Sequence, residues 1–119
     1  MEQAYSLDIR DGILYLIFQK KPTAAEVRRV IDQAQTLGKI RMRLWFFPDN
    51  CAFTVEELIE ITDYGKKVWT LPSRAAVIGS TKFKENLNQM QVVNPEKNDF
   101  KTRVFQREED AINWLKYGG

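Results

Sequence analysis

Two acidic clusters, a pair of closely spaced arginines and one cysteine are the residues of this 119-residue chain whose types lend themselves to chemistry. Glu56, Glu57 and Glu60, and again Glu108, Glu109 and Asp110, supply the carboxylates that metal binding or acid–base work requires. Neither group has EF-hand or DxD spacing. Both fall where helices are expected to begin, so they read as solvated faces and helix-start charges. Cys51 has no histidine to depress its pKa, because the chain contains none, and it reads as inert. Lack of histidine also removes the commonest general base, the Ser-His-Asp and Cys-His relays, and nearly every zinc site that is not built from carboxylates. No catalytic constellation and no metal site emerges. The expectation is a protein that is not an enzyme and that carries no cofactor.

The bulk numbers narrow the class further. Eighteen Lys+Arg against sixteen Asp+Glu leave a formal charge of +2, too weak a bias to hold nucleic acid, which needs several clustered cations. Hydrophobic content of 44% with 29% charged residues is ordinary globular composition, enough for one domain over 1–119 with a real core. The lone cysteine allows no internal disulfide and points to a reducing cytoplasm. Met1-Glu2-Gln3-Ala4 has neither the basic nor the apolar region of an export signal. The longest apolar run, 13–18, falls far short of the roughly 20 residues that cross a bilayer.

The elements that must position any site follow from the periodicity. Period-two runs over 5–9, 13–18, 40–46, 74–78 and 102–105 predict strands. Period-3.6 runs over 23–37, 54–69, 83–91 and 107–115 predict helices. Asp11-Gly12 between the first two strands is a type I′ hairpin signal. Thr23-Ala24-Ala25-Glu26 and Thr54-Val55-Glu56-Glu57 are capping boxes. Val27, Val30, Ile31, Ala34 and Leu37 form a narrow stripe on the first helix, which Gly38 ends. All four prolines fall in gaps between elements, as their missing N–H demands. The resulting fold class is α/β: a mixed five-stranded sheet in the order ββαβαβαβα, antiparallel at the hairpin and otherwise wound as a βα superhelix.

Within 40–46, Met42, Leu44 and Phe46 face one way and Arg41, Arg43 and Trp45 the other. This alternation predicts a sheet with helices mainly on one face. The other would be a bare face where Arg41, Arg43 and Trp45, with Tyr15 and Arg103, either form a basic–aromatic surface for an anionic headgroup, a carboxylate or a second subunit, or simply meet solvent.

The helix over 54–69 is the strongest candidate for function. Leu58, Ile61, Thr62, Gly65, Val68 and Trp69 share one broad side, with Val55, Ile59 and Tyr64 at its margins. A helix so broadly apolar packs against the sheet and a neighbour together, lines a cavity, or meets lipid. Gly65 costs this helix about 0.5–1 kcal/mol relative to alanine. Close packing explains it, and so does a flexible point over a pocket. Phe83, Leu87 and Met90 form an apolar edge on the next helix, either core or the second wall of such a pocket.

The hairpin over 8–18, the strand-loop-helix over 43–67 with Tyr64-Gly65-Lys66, the strand Arg74-Ala75-Ala76-Val77-Ile78-Gly79, and the closing Glu108-Glu109-Asp110-Ala111-Ile112-Asn113-Trp114-Leu115 together resemble the STAS superfamily. The resemblance is closest to its SpoIIAA-like branch. Regulatory antagonists of anti-sigma factors carry an Asp-Ser-Ser-Gly stretch with a phosphorylated serine. Here that junction reads Asn50-Cys51-Ala52-Phe53-Thr54. The serine is missing, and Thr54 already has a role as a cap. The resemblance implies a small domain of the fold shared with CRAL-TRIO lipid carriers, binding a nonpolar molecule or lipid and touching membranes transiently.

The first functional expectation is therefore a non-enzymatic ligand-binding or carrier module. Phe46, Phe53, Leu58, Ile61, Thr62, Gly65, Trp69, Phe83, Leu87 and Met90 line or gate its pocket, and Trp69 and Leu71 dip into the membrane. The alternative is a protein-interaction module working through the loop before Thr54, with a protein partner or a second copy of the chain. Nucleic acid is not among the expected partners.

Overall fold

The computed structural model describes residues 5–38, 40–68, 74–93 and 101–118. Among them run β1 (Tyr5–Arg10), β2 (Ile13–Phe18), α1 (Ala24–Gln35), β3 (Met42–Phe46), α2 (Val55–Val68), β4 (Arg74–Ile78), α3 (Thr81–Val93), β5 (Lys101–Phe105) and α4 (Glu108–Tyr117). The fold is a compact α/β arrangement with a mixed five-stranded sheet. Trp69, Leu71, Pro72 and Pro95 lie outside the described residues.

Local chemistry accounts for the element boundaries. Asp11 and Gly12 both take positive φ, 54° and 79°, and Arg10 pairs with Ile13. This is the two-residue turn whose twist matches that of the strands it joins. Thr23 Oγ1 accepts from the Glu26 amide at 3.1 Å, and the Glu26 carboxylate accepts from the Thr23 amide at 3.1 Å. Thr54 and Glu57 repeat the exchange at 3.2 and 2.9 Å, so the Thr54 hydroxyl is engaged as a cap. α3 begins two residues before the apolar spacing predicts. Ser80 Oγ accepts from the Phe83 amide at 3.1 Å, an N-cap that apolar periodicity does not register. Leu37 leaves the expected stripe: α1 ends at Gln35, and Leu37 is exposed.

Strand order is β1-β2-β3-β4-β5, with β1 antiparallel to β2 and every later pair parallel. Each crossover advances the sheet in the same direction. Right-handed crossovers that never reverse direction all land on one face, and α1, α2 and α3 share one core with that face. Only α4, which follows the last strand, is free to take the other. It packs there through Ala111, Trp114 and Leu115 against Ile13, Tyr15, Leu44 and Ala76.

This arrangement reverses the expected facing of β3. Met42, Leu44 and Phe46 turn toward α4, whereas Arg43 and Trp45 lie buried beneath the three crossover helices. Tyr15 and Arg103 are on the α4 side, where Arg103 sits 5.8 Å from the Trp114 ring. The bare basic–aromatic surface therefore does not form. Alternation told the two faces of the strand apart, but both are covered. The face bearing Arg43 continues through Trp45 to Phe47, and is apolar enough to be core.

Candidate ligand-binding site

A cavity of about 90 Å³ lies between the three crossover helices and the sheet. Its floor is β3 and β4, through Arg43, Trp45, Phe47, Ala75 and Val77. α2 forms one wall with Leu58, Ile61, Thr62 and Gly65, and Phe53 of the preceding loop joins it. α3 supplies Phe83, Leu87, Met90 and Gln91, while Val27 and Ile31 of α1 and Thr102 of β5 complete the lining.

The register explains why space remains. Across the sheet, Leu14, Arg43, Ala75 and Thr102 stand side by side on the helix-facing surface. Ala75 is the short member of that row, and the α2 wall contains Gly65, which has no side chain. Side-chain bulk is thus low at one position of the floor, Ala75, and at one of the wall, Gly65. α2 itself is only partly covered: Leu58 and Gly65 are buried, but Val55, Ile59, Ile61, Thr62, Tyr64 and Val68 remain half-buried. Its polar margin ties it to α1, where Arg28 pairs with Glu60 at 2.8 Å and the Tyr64 hydroxyl donates to Asp32.

The two ends of the cavity differ in character. At one, Phe47 meets Phe53 edge-on at 5.7 Å and Phe83 at 5.0 Å. At the other, two residue pairs earlier along β3 and about 13 Å away at the usual strand rise, is Arg43. Gln91 and Thr102 belong to the same lining, with Gln91 Nε2 donating to the Thr102 carbonyl at 3.4 Å. Arg43 is 2% exposed, and one guanidinium nitrogen donates to the Ile40 carbonyl at 3.4 Å. Burial lowers its pKa to about 10, because removal from water disfavours the charged form. It remains a cation at neutral pH.

The expected site residues separate in three ways. Phe53, Leu58, Ile61, Thr62, Gly65, Phe83, Leu87 and Met90 come together around the cavity. Phe46 does not: it points to the α4 side and stacks on Tyr15 at 6.2 Å. Assigning Phe46 to the helix-covered face placed the pleat one residue out of phase, and Phe47 occupies the position instead. Trp69 lies outside the described residues. Sequence reasoning put Arg43 and Trp45 on a bare face and did not single out Phe47, although all three line the cavity. Their i, i+2, i+4 spacing, two rings following one cation, was the available signal that this face is core.

Cys51 is fully buried, its thiol pushed up to about 11 chiefly by desolvation. We expect no alkylation of native protein at pH 8, and full modification on unfolding. The folded state keeps this proton in a range where the unfolded chain, near 9.0, loses it. The thiol's contribution to stability is therefore complete below pH 9 and falls as pH rises toward 11, by up to about 1.4 kcal/mol per pH unit. Arg43 opposes that fall only above its own pKa of about 10. Urea titrations of wild type and Cys51→Ala across pH 8–10 check the difference; equal slopes would refute it.

Among the described residues no three His, Cys, Asp or Glu side chains gather as a metal site, and no helix is long and apolar enough to cross a membrane. Comparison with protein-family models, with curated proteins and with solved structures returned no match.

Proposed function

We propose that this protein is a non-enzymatic binding module with a SpoIIAA-like arrangement of the STAS fold, holding a small, largely apolar molecule beneath α2. The observation that carries the reading is the cavity under a helix whose apolar arc is broader than its neighbours cover. Its volume of about 90 Å³ is of the order of an engineered apolar cavity that admits benzene, about 150 Å³, and below the roughly 300–1,000 Å³ of drug-sized pockets. A ring or a single chain fits that scale; a two-chain lipid does not. The titratable lining group, Arg43, offers charge rather than proton transfer near neutral pH, which favours binding over catalysis.

The test uses an uncharged probe. Calorimetric titration with 1-octanol should give saturable binding at one molecule per chain. Ala75→Met, which places a flexible side chain on the cavity floor, should weaken it at least tenfold while the protein stays folded by circular dichroism. No saturable heat with wild type, or unchanged binding in folded Ala75→Met, would remove the cavity from the account.

A further inference from the structure

One helix cannot cover five strands. A helix with its side chains is about 10–12 Å across, whereas five strands spaced at about 4.8 Å set their outer axes roughly 19 Å apart. α1, α2 and α3 share the opposite face, and α4 centres on Leu44 of β3 and Ala76 of β4. The flank of β5 is left open. There Arg103, beside Ala76, and Phe105, beside Ile78, face Asp110, Asn113, Trp114 and Tyr117, which recur at i, i+3, i+4 and i+7 along one side of α4. These six residues line a trench of about 320 Å³, at the lower end of the range for small-molecule pockets.

Its walls are largely aromatic and its unbalanced charge is a single cation. Trp114 is buried and Phe105 half-buried, but the Tyr117 ring stands at the rim, 79% exposed. The exposed Arg103 guanidinium lies 5.3 Å from the Phe105 ring centre and 5.8 Å from that of Trp114, within the reach of about 6 Å at which a cation is drawn to a ring. A guanidinium held by rings still has its planar fork of N–H donors to offer a carboxylate. The lining carboxylate, Asp110, is balanced by Arg107, whose Nε and Nη2 donate to it at 3.1 and 3.2 Å. Arg74, near the Trp114 ring, is occupied by the Trp114 carbonyl at 3.1 Å. We propose that the trench between α4 and β5 is a second binding site, taking a free aromatic monocarboxylate whose carboxylate pairs with Arg103 and whose ring lies against Phe105, Trp114 and Tyr117. An organic ammonium is the poorer fit, because Arg103 already meets two of the rings and Arg107 already holds the acid that such a cation needs. A phosphate monoester carries about −1.5 to −2 at neutral pH, more than one guanidinium balances.

The site is separate from the cavity beneath α2, so its test reads position as well as affinity. Nitrogen-15-labelled protein at pH 7.5 is titrated with 2-naphthoate, 2-naphthalenemethanol, 2-naphthylmethylamine and 2-naphthyl phosphate, and amide shifts are followed by NMR. 2-Naphthoate should saturate at one molecule per chain, shifting amides of β5 and α4, and should bind about fivefold tighter than the alcohol. The amine should bind more weakly than the alcohol, and the phosphate no tighter than 2-naphthoate. Arg103→Gln should bring 2-naphthoate and the alcohol to within about twofold of each other, and Tyr117→Ala should weaken both at least threefold. Both side chains are exposed, so the variants are expected to fold as wild type does. Equal affinity of wild type for 2-naphthoate and the alcohol overturns the anion site, as does a preference that survives in Arg103→Gln. Shifts confined to α2 and α3 place the probe in the other cavity and overturn the trench, and so does the absence of saturable shifts. Tighter binding of the amine or of the phosphate overturns the carboxylate. Concentration-dependent broadening of the same amides in wild type but not in Tyr117→Ala would give the trench to a second copy of the chain instead.

Discussion

Phe47→Ala is expected to lower the free energy of unfolding by about 3–5 kcal/mol, the range for truncating a buried aromatic side chain. Phe47 lies at the centre of the aromatic core. It stacks on Phe18 at 5.1 Å, on Trp45 at 5.8 Å and on Phe83 at 5.0 Å, and meets Phe53 edge-on. These partners come from β2, β3, the loop before α2 and α3, so no single neighbour can move in to fill the space. In a chain of this length the loss corresponds to a melting temperature lower by roughly 10–20 °C. Urea denaturation should show a reduced midpoint with an unchanged slope, since the surface exposed on unfolding barely changes. A cost below about 1.5 kcal/mol would mean that the ring cluster is looser than its geometry implies. Because Phe47 also lines the cavity, 1-octanol should bind the variant differently, and stability has to be measured without ligand.

Arg43→Met is expected to act in the opposite direction, although Arg43 is buried more deeply than Phe47. Methionine is unbranched and apolar, fills a similar volume and leaves no charge to desolvate. Replacing buried ionic groups by apolar ones of similar size is often neutral or stabilising by about 1–4 kcal/mol. The change also removes the guanidinium's hydrogen bonds, the 3.4 Å bond to the Ile40 carbonyl among them, so a net gain of at most about 1 kcal/mol is expected for the ligand-free protein. Thermal and urea denaturation would read it as a raised midpoint. A loss of more than about 1 kcal/mol would show that the guanidinium serves the fold itself.

The contrast between these two positions marks where the sequence stops being legible. The hairpin could be read because Asp11-Gly12 is a local matter of φ angles, and the starts of α1 and α2 because a capping box spans four residues. The breadth of the α2 apolar arc was equally readable, since it depends only on a 100° step. So were Phe53, Leu58, Ile61, Thr62, Gly65, Phe83, Leu87 and Met90 as one group, because they lie on or beside two helices whose apolar sides must meet something. Ser80 was missed as a cap because it precedes the first apolar residue of α3.

What the sequence by itself determined is the succession of elements and the side of each helix that seeks cover, because both follow from contacts a few residues apart. Tertiary structure alone decided which face of β3 lies under three helices and which under one. That choice depends on crossovers all winding in one sense and on α4 crossing to the opposite side, which no local period encodes. It moved Phe46 out of the candidate site and brought Phe47 in. It also turned Arg43 from a presumed surface charge into a buried cation in the cavity lining, where loss of water lowers its pKa to about 10.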